Sequence, residues 1–211
     1  YYISPIAYIV ISLFLIVTGW FFFSTFFIFG RADLRDFFAL LPITFSFIIP
    51  AVTMRLFAEE KNVGSYETLL TMPVSFTDIA LGKFLAATMF TVSMLVPTLS
   101  YPIFIAFIGQ LDPGPVIGGY IGAVFLAGAY CAIGLFASSL TRNQIIAFII
   151  GCALCFMLTI LDKLLFFMPA KIIGAVNYLG SSFHFLNIAK GIIDSRDIFY
   201  FVSVIFIFIF S

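Results

Sequence analysis

Charge is what this sequence has least of. Only 9% of its 211 residues are Asp, Glu, Lys or Arg, ten acidic and ten basic. A water-soluble domain of this length cannot cover its surface with so little charge, so the chain is read as an integral membrane protein. The formal net charge is +0, and nothing in it points to nucleic acid. Cysteine is scarce as well. Cys131, Cys152 and Cys155 all sit inside apolar stretches, which gives no disulfide framework and no information on compartment. There is one His, His184, and one Trp, Trp20. No G-x-x-x-x-G-K-[ST] loop occurs, so the chain has no P-loop with which to bind a nucleotide.

What fills the sequence instead is hydrocarbon. The chain is 63% hydrophobic and 19% aromatic, with 30 Phe and a mean hydropathy of +1.21. Its charge-free intervals approach or exceed the ~20 residues a transmembrane helix needs, and they run continuously rather than alternating, which favours helices over barrel strands. The prediction is an all-α membrane protein of six transmembrane helices: Pro5–Phe29, Phe37–Met54, Phe84–Leu111, Pro113–Thr141, Asn143–Leu161 and Ile198–Ser211. The last is too short to span and is expected to be truncated. The chain also opens without Met, inside an apolar run. Residues 1–211 are therefore read as one transmembrane domain, a fragment lacking both tails. The first run is too long, and lacks the basic start, for a cleaved signal peptide.

One sizeable polar island interrupts this pattern, Ala58–Lys83. It holds four of the 10 acidic residues: Glu59, Glu60, Glu67 and Asp78. Gly64 can interrupt the helix continuing from the second span. Ser65–Thr71 can form about two turns, with Leu69 and Leu70 on an apolar side and Glu67 on a wet one. Pro73 ends it, and Ser75 stands three before Asp78, a capping-box variant that opens the third helix. The expected result is a short amphipathic helix along the membrane surface; a solvated loop is the alternative. Two tight connections are expected at Gly109–Pro115 and Ser138–Asn143, the second with Thr141 and Gln144 at capping-box spacing. Pro42, Pro50, Pro97 and Pro102 either mark kinks or are tolerated within membrane helices.

Several features have two readings. Cys152 and Cys155 form C-x-x-C, either a redox or metal pair or small packing residues in an apolar helix. Gly118 and Gly122 form G-x-x-x-G, which marks either a dimer face or close packing within one subunit. His184 lies in the mixed stretch Asp162–Asp197, as part of an exit gate or as an interfacial histidine with a hydrogen-bond partner. Trp20 and Tyr8 are either interfacial anchors or ordinary packing residues.

The run Ala58-Glu-Glu-Lys61, Gly64-Ser-Tyr-Glu67-Thr-Leu-Leu70, Pro73-Val-Ser75 and Leu81-Gly-Lys83 resembles the signature of ABC type-2 transporter permeases. Ser4–Tyr8, Pro50–Arg55, Ser138-Ser139, Asn143-Gln144 and Lys190–Asp197 resemble most the gliding-motility-associated permease subunit. Ser65 departs mildly from a common Thr and keeps the hydroxyl. The resemblance implies a permease, of an exporter by preference, in the bacterial inner (cytoplasmic) membrane among membrane lipid. It implies a coupling helix between helices two and three, and re-entrant helices on the outer face before helix six. It also implies two kinds of partner: a separate ABC ATPase that binds ATP and Mg, and a second permease copy or paralogue. Glu59, Glu60, Lys61 and Glu67 would face the ATPase. Leu69 and Leu70 would pack against it or the membrane, Gly64, Ser65 and Pro73 would shape the element, and Arg142 would add a contact. A non-transporting membrane anchor, or a membrane-embedded enzyme, is the competing class. One count opposes this orientation: Arg55, Lys61, Lys83 and Arg142 share the island's side, while Arg31, Arg35, Lys163, Lys171, Lys190 and Arg196 fall opposite, and the basic side is expected inside.

Overall fold

The computed structural model describes residues 5–29, 33–64, 75–109, 111–164, 180–192 and 194–210. Among them every regular element is a helix: α1 Pro5–Phe29, α2 Arg35–Thr53, α3 Arg55–Val63, α4 Phe76–Leu95, α5 Ser100–Ile108, α6 Pro113–Leu140, α7 Gln144–Leu164, α8 Ser181–Ala189 and α9 Ser195–Phe210. Five stretches are long and apolar enough to cross a membrane: Ala7–Ile28, Arg35–Val63, Phe76–Ile108, Pro113–Leu140 and Gln144–Leu161. The molecule is an all-α, multi-pass membrane protein. The expected spans coincide with these helices, and α9, at 16 residues, stands where a short sixth was expected. The predicted Ser65–Thr71 helix, with Glu67, Leu69, Leu70 and Pro73, lies outside the described residues.

Local chemistry sets several boundaries that hydropathy alone misses. α4 begins at Phe76, ahead of the apolar run that starts at Phe84, because Ser75 caps it as its spacing to Asp78 predicts: its Oγ accepts from the Asp78 amide at 3.3 Å and donates to Asp78 Oδ2 at 2.5 Å. At the next turn Asp112 Oδ1 accepts from the Gly114 amide, and α6 starts at Pro113, whose missing N–H costs nothing in a first turn. The capping box expected from Thr141 and Gln144 does not form. Asn143 takes the role, its Oδ1 accepting from the Ile145 amide at 2.9 Å. Pro97 marks a real break, since the chain passes through a 3₁₀ turn, Val96–Leu99, between α4 and α5.

α6 is the central helix. It touches α2, α3, α4, α7, α8 and α9. Lipid tails are as apolar as Leu, so helices in a membrane associate by close packing, and small residues permit it. A stripe of Gly and Ala serves this purpose. A Cβ on Gly118 would meet the Ile188 carbonyl at 2.4 Å, and one on Gly122 would meet the Ile188 and Phe185 side chains at 3.2 Å. The G-x-x-x-G pair thus seats α8 within the same chain. α1 is more peripheral, with Trp20 and Tyr8 both exposed.

Short α8 is buried in the bundle against α2, α6 and α7. A chain of hydroxyls holds it there. Tyr130 OH lies 2.7 Å from Ser181 Oγ and 2.6 Å from Thr159 Oγ1, which in turn lies 2.7 Å from Ser46 Oγ. Ser182 adds a hydrogen bond to the Thr159 carbonyl at 2.9 Å.

Candidate functional site: the elbow at the polar island

The island opens as a continuation of α2. Residues Arg55–Val63 are mostly good helix formers, and Gly64 stops them in the left-handed conformation, φ 80°, that a C-terminal cap requires. Between α2 and α3 the helical hydrogen-bond ladder is interrupted. Met54 keeps helical dihedrals (φ −54°, ψ −27°), so the backbone does not turn away. Instead a side chain enters the ladder. Ser138 of α6 donates from Oγ to the Met54 carbonyl at 2.9 Å and accepts from the amides of Phe57 and Ala58 at 3.0 Å each. A hydroxyl inserted in this way is a recognised cause of a helix break. We call the junction the elbow.

The elbow is pinned from two further sides. On α6, Gly134 faces Thr53 so closely that a Cβ there would lie 2.0 Å from Thr53 Oγ1. Lys61 Nζ donates to the Ser139 carbonyl at the end of α6. On α4, Lys83 Nζ pairs with Glu60 Oε2 at 2.5 Å, donates to the Leu56 carbonyl, and sits 4.4 Å from the centre of the Phe57 ring. Phe57 stacks in turn on Phe76, the first residue of α4.

The predicted site residues therefore divide. Glu60 turns to Lys83 and Lys61 to Ser139, while Glu59, Gly64 and Arg142 are exposed. Lys61, Gly64 and Arg142 meet around an open cleft of about 520 Å³ with Asn62 and Thr141. Ser65, Glu67, Leu69, Leu70 and Pro73 lie outside the described residues. Sequence reasoning missed Ser138 as a partner of the elbow and Lys83 as the partner of Glu60. The one available signal was polarity: Ser138 is a hydroxyl at the end of an otherwise small and apolar helix.

α8 and α9 together carry the other ionisable cluster. His184 Nδ1 lies 2.5 Å from Asp197 Oδ1, both side chains buried, and the imidazole stacks on Tyr200 at 4.2 Å. His184 has the hydrogen-bond partner expected of it. The C-x-x-C pair lies along α7, with Cys155 buried and Cys152 half-buried. Among the described residues no group of three or more His, Cys, Asp or Glu is placed to hold a metal ion.

In comparison with known proteins, residues 22–200 match the family model described as ABC-2 family transporter protein. The comparison with curated proteins returned no match.

Proposed function

Because the chain belongs to the ABC-2 family of transporter proteins, as a membrane permease component, we propose that its polar island couples it to a separate ABC ATPase. The supporting observation is the elbow. α3 continues α2 and is bonded to α6 through Ser138 and Lys61 and to α4 through Lys83. A push on the segment after Gly64 therefore moves three spans together rather than bending a free loop. ATP and Mg reside on the ATPase; this chain supplies the moving helices. Lys61, Asn62 and Arg142 around the open cleft, with Ser65–Thr71 next in the sequence, form the contact face in this reading. Glu67, Leu69 and Leu70 supply its wet and apolar sides. A second permease copy or paralogue completes the path, the island faces the cytoplasm of a bacterial cell, and transport runs outward. The motifs Ser4–Tyr8 and Lys190–Asp197 favour the gliding-motility-associated branch.

The test is co-purification of the chain with an ABC ATPase from the same genome, followed by permease-dependent ATP hydrolysis. Arg142 has no ion pair among the described residues, so Arg142→Glu leaves the elbow intact. Combined with Glu67→Lys, it is expected to lower stimulated hydrolysis about tenfold, the loss of one or two charge-assisted contacts, with membrane insertion retained. Unchanged stimulation in the double variant overturns the coupling role. An ATPase that never associates favours the membrane anchor instead.

A further inference from the structure

Between α1, the elbow and α4 lies an open-sided cavity of about 580 Å³, within the size range of small-ligand sites. Its floor is apolar, formed by Ala7 and Val10 of α1, Val52 of α2 and Phe90 of α4. Its mouth is charged. Arg55 and Glu59 line it from α3, four residues apart and so one above the other on the same helix face. Both are exposed, and neither has an ion-pair or hydrogen-bond partner among the described residues. Their order, base before acid, is the less favourable one for an intrahelical pair. Along the wall, Glu60 and Lys83 are already engaged with each other. Arg55 also follows directly on the apolar run of α2, which puts the mouth at the boundary between hydrocarbon and water.

We propose that this cavity holds one phospholipid with a phosphoethanolamine headgroup. Its acyl chain lies against the apolar floor, its phosphate on Arg55 and its ammonium on Glu59. The guanidinium fork matches phosphate oxygens, and a primary ammonium brings N–H donors to the Glu59 carboxylate. The two-carbon bridge between phosphate and ammonium suits two side chains one helical turn apart. A choline headgroup has no N–H to donate. A phosphatidylglycerol headgroup carries the same phosphate but no cation to set against the Glu59 carboxylate. The site does not depend on the coupling role of α3.

The whole chain, purified in detergent and stripped of lipid, is offered phosphatidylethanolamine, phosphatidylcholine or phosphatidylglycerol at equal mole fraction, and bound lipid is counted by native mass spectrometry. The expected result is an ethanolamine-lipid adduct about tenfold above the other two, the scale of one charge-assisted hydrogen bond. Glu59→Gln removes the preference, while Arg55→Gln, which loses the phosphate common to the three lipids, and Ala7→Phe, which fills the floor, each lower binding of all three. Arg196→Gln, outside the cavity, changes nothing. Equal binding of the three lipids, a preference for phosphatidylglycerol, or a preference that survives Glu59→Gln overturns the headgroup assignment, and undiminished binding in Arg55→Gln overturns the phosphate contact. Undiminished binding in Ala7→Phe overturns the cavity.

Discussion

Ser138 uses its hydroxyl to the full: one donated bond and two accepted ones, all to the backbone of the elbow. Ser138→Ala leaves two buried amides and the half-buried Met54 carbonyl to find new partners. The expected cost is about 1–3 kcal/mol, read as a lower thermal unfolding midpoint in detergent and faster amide exchange at Phe57 and Ala58. Tyr130→Phe also removes a buried hydroxyl with two partners, but its effect is smaller. Thr159 Oγ1 still donates to the Cys155 carbonyl and Ser46 Oγ to the Pro42 carbonyl. Side-chain hydrogen bonds in membrane proteins average ~0.6 kcal/mol, so the loss is roughly 1 kcal/mol. A Tyr130→Phe variant less stable than Ser138→Ala would reverse this ranking.

At the scale of elements, α3 is a short polar helix fixed between two long ones. Glu60 illustrates how the structure sharpens a sequence reading. Its position in the island suggests an outward contact, yet it forms a mostly buried bridge to Lys83 of α4. Glu60→Lys sets two cations together in a mostly buried place and is expected to cost about 1–3 kcal/mol, between the figures for exposed and fully buried pairs. The swap Glu60→Lys with Lys83→Glu restores the pair but not the Lys83 bond to the Leu56 carbonyl. Stability is therefore expected to return in part. ATPase stimulation that recovers with it assigns Glu60 to holding α3 on α4; stimulation that stays lost assigns Glu60 to the ATPase contact.

At the scale of the whole molecule, the orientation in the membrane follows from neither charge nor packing. The island's side has Arg55, Lys61, Lys83 and Arg142, fewer basic residues than the other side, so the cytoplasmic placement rests on the coupling proposal. A cysteine introduced at Asn62, exposed beside Gly64, gives a direct reading. Cys131 and Cys155 are buried and Cys152 half-buried, so Cys152→Ala removes the main background. Labelling by an impermeant thiol reagent is expected only after the cells are opened. Labelling in intact cells would place the island outside.

The spans, the all-helical class and the helix boundaries inside the island at Gly64 and Ser75 were determined by the sequence alone, because hydropathy, left-handed glycine and helix caps act over a few neighbouring residues. The family signature is equally local, since most of its motifs are short runs. Tertiary structure decided what the polar residues do. Ser138 meets Phe57 across 81 positions, Ser46 meets Thr159 across 113, and Lys83 meets Glu60 on another helix. Even His184 required the fold to bring Asp197 to it, 13 residues away. In hydrocarbon a polar group must find a partner inside the protein. Which partner it finds depends on how closely the helices approach, and the small residues of α6 set that distance.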